Sequence, residues 1–92
     1  MTPQAAETIA LSALAWLAGH DELWPVFMGS TGADVTNLRA QAQDPEFLAA
    51  VLDFILMDDA WITECTAALE QKPEVLARAR AALPGGAQMH WT

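Results

Sequence analysis

The longest apolar run of the chain is Phe47-Leu48-Ala49-Ala50-Val51-Leu52-Asp53-Phe54-Ile55-Leu56-Met57, with a single charge inside it. Stepped around a helix at about 100° per residue, Phe54, Phe47, Val51, Ile55, Leu48, Leu52 and Leu56 fill an arc of roughly 200°. A surface helix needs an apolar stripe only about half as wide. Ala49 and Asp53 share the strip that remains. A buried strand would have a similar apolar signature, but Asp44-Pro45-Glu46 is a helix start: a capping carboxylate, a proline at the first helical position and an acid in the first turn. The pattern predicts a central helix over residues 45–57, covered on most sides.

The flanking segments repeat the helical period. Pro3 to Ala18 reads as a first helix capped by Thr2 and stopped by Gly19, with Ile9, Ala13 and Trp16 on one line and Ala10, Leu14 and Leu17 on the next. Asp21 opens a second helix, in which Pro25 falls within the first turn, where amide donors have no partner to lose. Leu23, Val26 and Phe27 form its expected core face, with Trp24 and Met28 to one side, and Gly32 is the expected left-handed stop. A third helix from Asp34 carries Val35, Leu38 and Ala42 and ends before Asp44-Pro45. Asp58 or Asp59 starts a helix with Trp61, Ile62, Cys65, Ala68 and Leu69 inward. Pro73-Glu74 starts a last one, with Val75, Leu76, Ala79 and Leu83 inward, ended by Pro84-Gly85-Gly86. The expectation is an all-α domain over residues 1–86, a bundle of five to six short helices around the central one, with residues 87–92 as a tail.

Composition agrees with helices and narrows function. Hydrophobic residues make up 53% of the chain, but nineteen residues are alanine, which favours helix and lets helix axes approach closely. Twelve acids against four bases give a net charge of −8. That balance, with Arg39, Lys72, Arg78 and Arg80 scattered, argues against a nucleic-acid partner. Nine acids, Glu7, Asp21, Glu22, Asp34, Asp44, Glu46, Asp58, Asp59 and Glu74, fall at or near expected helix starts, where the helix dipole favours them. No run reaches bilayer length and the N-terminal stretch lacks a basic region, so the expected setting is the cytoplasm, without a membrane partner.

Phe27-Met28 followed by Thr31-Gly32, then Leu38-Arg39, then Phe47 through Phe54 leading into Asp58-Asp59, and Pro73 before an alanine-arginine helix, resemble the family called domain of unknown function 3572. The likeness covers roughly residues 9–86. It implies a short all-helical alphaproteobacterial protein and brings no activity, ligand or catalytic residue with it. Met28 and Cys65 depart from the leucine and the aromatic expected there, and both suit a core.

Candidate chemistry is sparse. Asp53, on a largely covered helix, needs a partner, because burying a lone carboxylate costs several kcal/mol. Arg39, on the short helix before it, is the expected partner in a structural ion pair. His20-Asp21-Glu22 has metal-ligand residue types but not their convergence, and no HxxxH, calcium loop or cysteine cluster accompanies it, so no metal or other cofactor is expected. Cys65 lies on an apolar stripe and reads as an inert core thiol. Gly29-Ser30-Thr31-Gly32 lacks the lysine and preceding strand of a phosphate loop.

What remains is surface. Trp24 and Met28, one turn apart, with Trp91 in the tail, form the expected interaction patch for a protein partner or a second copy. The reading is of a non-enzymatic interaction module. The alternative is a small-molecule binder or enzyme with a pocket between helices near Asp53 and Arg39.

Overall fold

A computed structural model of the chain describes residues 1–32 and 35–83, with backbone only at Val35. Asp34, the Pro84-Gly85-Gly86 stop, His90, Trp91 and the 87–92 segment lie outside the described residues. The fold is all-α: α1 (Pro3–Ala18), α2 (Leu23–Thr31), a 3-10 turn (Val35–Asn37), α3 (Leu38–Gln41), α4 (Pro45–Ile55), α5 (Asp59–Ala68) and α6 (Val75–Ala82).

The starts follow their capping side chains. The Thr2 hydroxyl accepts from the Ala5 amide at 3.1 Å, Asp44 Oδ1 from Glu46 at 2.9 Å and Asp58 Oδ1 from Ala60 at 2.8 Å. Glu22 and Glu74 occupy cap positions without a side-chain hydrogen bond. At α2 the cap is supplied instead by His20, whose Nδ1 accepts from the Leu23 amide at 3.2 Å. Gly32 ends α2 at φ 69°, the left-handed conformation that glycine adopts without a Cβ penalty. The α5 terminus solves the same problem without glycine. Glu70 takes φ 57°, the Gln71 amide donates back to Thr66 O at 2.9 Å and the Glu70 amide to Ala67 O at 3.2 Å. That pair of bonds is a Schellman motif.

α4 buries Leu48, Ala49, Val51, Leu52, Phe54 and Ile55, and it shares the centre with α1 and α6. The most extensive packing is of α1 on α6 and of α1 on α4, and α1 also meets α2 and α5. The reason lies in small side chains: Ala6, Ala10 and Ala13 on α1 and Ala79 on α6 have no exposed surface, so these helices approach closely around Leu17, Leu52, Ile55 and Leu76. Aromatic rings tie the remaining elements on. Phe27 of α2 meets Phe47 and Phe54 of α4 edge-on, with centroids 5.9 and 5.4 Å apart. Trp24 stacks on Phe27 at 5.8 Å and Trp61 of α5 on Phe54 at 5.1 Å. The radius of gyration, 12.3 Å, is that of a compact globule of this length.

Several inward faces turn out differently. Val26, expected in the core, is 54% exposed; α2 is rolled so that Trp24 and Met28 pack against the core beside Leu23 and Phe27. Ala49, on the supposed outer strip of α4, is buried, while Asp53 one turn later is exposed. α4 stops at Ile55, and Met57 is in solvent. On α5, Ala68 is exposed and Thr66 is buried in its stead. The Thr66 hydroxyl donates to Ile62 O at 2.8 Å, which removes the penalty of burying it.

Candidate functional site

The residues singled out from the sequence do not converge. Asp53 Oδ1 accepts a hydrogen bond from Arg80 Nε at 2.6 Å, between α4 and α6. The expected Arg39–Asp53 bridge is therefore corrected: the strip of α4 that carries Asp53 faces α6, and Arg39 of α3 lies beside α1. Arg80 is largely covered and Asp53 half exposed, so the pair sits at the rim of the core, where its charges keep part of their hydration.

His20 is a junction residue. While Nδ1 caps α2, Nε2 stands 3.7 Å from Glu64 of α5, and the ring lies edge-on to Trp16 at 5.2 Å. With Nδ1 accepting, the ring proton is on Nε2 and points toward the carboxylate. Among the described residues no group of three His, Cys, Asp or Glu side chains comes together to hold a metal ion. Cys65 is fully buried, and desolvation pushes its thiol up to about 11, so no reactive thiolate is present at neutral pH. Trp24 and Met28 are half-buried, and Trp91 lies outside the described residues.

Among the described residues, depressions with enough volume to receive a ligand include two of contrasting character. One, about 500 Å³, lies at the α5–α6 turn against Glu70, Gln71, Lys72, Glu74, Val75 and Arg78. Its lining mixes both charge signs around Val75, the composition of a solvated turn.

The other is of a different kind. It is a cleft of about 380 Å³ between α1 and α3, lined by Leu11, Leu14, Ala15 and Ala18 on one wall and Leu38, Arg39 and Ala42 on the other. The α1 residues stand at i, i+3, i+4 and i+7, the spacing of one helical face. This face is a second one, roughly 120° around from the buried Ala6–Ala10–Ala13–Leu17 face by helical stepping, and Leu14 belongs to both. Leu11 is 44% exposed and Ala15 and Ala18 are exposed. Among the described residues no acid lines the cleft, and Arg39 is the one charged side chain of its lining. Among the described residues Arg39 forms no ion pair. The second stripe is visible in the sequence as Leu11, Ala15 and Ala18, but alanines on an alanine-rich helix carry little signal. That they border a cleft depends on where α3 docks.

The fold and its surface define a small α-helical protein with an apolar cleft between α1 and α3. The chain belongs to the protein family of unknown function DUF3572, whose model matches residues 3–86. Neither a curated protein nor a solved structure matches the chain. No helix among the described residues is long and apolar enough to cross a membrane.

Proposed function

We propose that this domain is a non-enzymatic interaction module that docks a protein partner in the α1/α3 cleft. The observation that carries the reading is the apolar face Leu11–Leu14–Ala15–Ala18, complete at helical spacing yet left open toward solvent. An apolar face that no element among the described residues covers is the usual mark of an interaction surface. Trp24 and Met28, packed against the core, offer less free surface than their spacing suggested, and the exposed Val26 between them extends that region as a secondary contact. A second copy is disfavoured as the occupant, since two chains of net charge −8 repel one another.

Light scattering on the purified protein and affinity capture with wild type and Leu11→Glu test the reading. The expected outcome is a partner retained by wild type and lost by Leu11→Glu, with both proteins equally folded. An identical set of partners for the two would remove the cleft from consideration. A second reading, a small-molecule ligand, draws on the cleft's volume of about 380 Å³, which lies within the range of ligand pockets. A ligand screen by thermal shift separates it, because specific binding raises the melting temperature.

A further inference from the structure

We propose that the segment seated in the α1/α3 cleft is an amphipathic helix that brings a carboxylate to Arg39. The inference rests on the docking reading above and adds the chemistry of the partner. The α1 wall is the flank of a sixteen-residue helix, whose backbone groups bond along it, and on the α3 wall the Ala42 amide donates to Leu38 O at 2.8 Å. The cleft therefore has no strand edge on which an extended peptide could form main-chain hydrogen bonds, and the occupant must satisfy its own backbone, as a helix does. The α1 wall steps from large to small side chains, Leu11 and Leu14 followed by Ala15 and Ala18. Small residues along a face let a second helix axis come within the usual packing distance of about 8–10 Å.

The charge follows from Arg39. Of the chain's four bases, Arg80 is paired with Asp53, whereas Arg39 borders a lining that holds no acid among the described residues. Covering the cleft takes water from the guanidinium, and an occupant without an anion there would leave a partly desolvated, unpaired cation, which is costly. A glutamate or aspartate one turn from the occupant's apolar anchors removes that cost and can pair with the guanidinium through two hydrogen bonds. A lysine at the same place meets like charge.

The test uses the full chain and two synthetic amphipathic peptides of about 15 residues, long enough for helix formation. They share a leucine/alanine face and differ only in glutamate or lysine at the flanking position. Isotope-labelled protein is titrated with each, and amide shifts are followed by NMR. Expected are saturable shifts at Leu11, Ala15, Ala18 and Arg39, with the glutamate peptide about fivefold tighter, the scale of a partly exposed ion pair. Arg39→Glu should reverse the preference, and Leu11→Glu should abolish binding of both peptides. Both substitutions are at exposed positions, so the fold survives them. Equal affinity for the two peptides, unaltered by Arg39→Glu, overturns the carboxylate while leaving docking in place. Shifts from neither peptide in the cleft overturn the docking reading and this inference with it.

Discussion

A carboxylate at the rim of a packed helix is only as tolerable as the cation beside it, and Asp53 finds its cation on α6 rather than on α3. Arg80 is the more covered partner, so removing Asp53 takes a charge-assisted hydrogen bond from a guanidinium with little water to replace it. Asp53→Ala and Arg80→Ala should each lower stability by about 1 kcal/mol, the upper part of the range for partly exposed pairs. For a domain of this size that is a fall in Tm of about 4–8 °C, while Arg39→Ala should leave Tm unchanged; calorimetry on the three variants decides. Cys65 makes a second prediction. Burial raises its thiol from 9.0 to about 11, so the folded chain keeps a proton that the unfolded chain loses. Its contribution to stability is therefore complete below pH 9 and declines as pH rises from about 9 toward 11. Denaturant titrations should show an alkaline loss of stability that is smaller in Cys65→Ala, and Ellman's reagent should react with the native thiol at a rate limited by unfolding.

Among the elements, the boundaries set by local chemistry were legible in the sequence. Thr2-Pro3, Asp44-Pro45 and Asp58 start helices where their side chains accept the first free amides, and Gly32 stops one where a positive φ is needed. Rotation of a helix about its axis was harder to read. Trp24 and Met28 pack inward at Val26's expense because Trp24 stacks on Phe27, and that choice depends on where α4 presents Phe47 and Phe54. Arg80 was missed as the partner of Asp53 for the same reason: no local pattern spans positions 53 and 80. The cleft depends on how α3 docks beside α1, which neither segment encodes alone. The α5 terminus gives a test at this scale. Glu70 holds a conformation that costs a residue with a Cβ about 1 kcal/mol, so Glu70→Gly should raise stability by about 0.5–1 kcal/mol, read from the urea midpoint. A decrease would mean that the Glu70 side chain contributes more than its backbone strain costs.

Across the whole molecule, the centre is assembled from helices far apart in the chain: α1 and α6 pack on each other and both pack on α4. Leu76 and Ala79 are fully buried and Leu83 is nearly so, so a chain cut before Val75 would expose Ala6, Ala10, Ala13 and Leu17 to water. Such a truncation should lose cooperative unfolding and near-ultraviolet circular dichroism while retaining part of its helical signal. Cooperative melting of the shortened chain would assign the core to α1 and α4 alone. The close approach of α1 and α6 also has a meaning in time. During synthesis α1 precedes α6, so the part of its alanine face that α6 covers waits from Ala18 to Val75 for its counterpart. The core therefore closes only once α6 has been made, although α4 can already pack on α1, and the Leu11–Ala18 face stays open among the described residues even then.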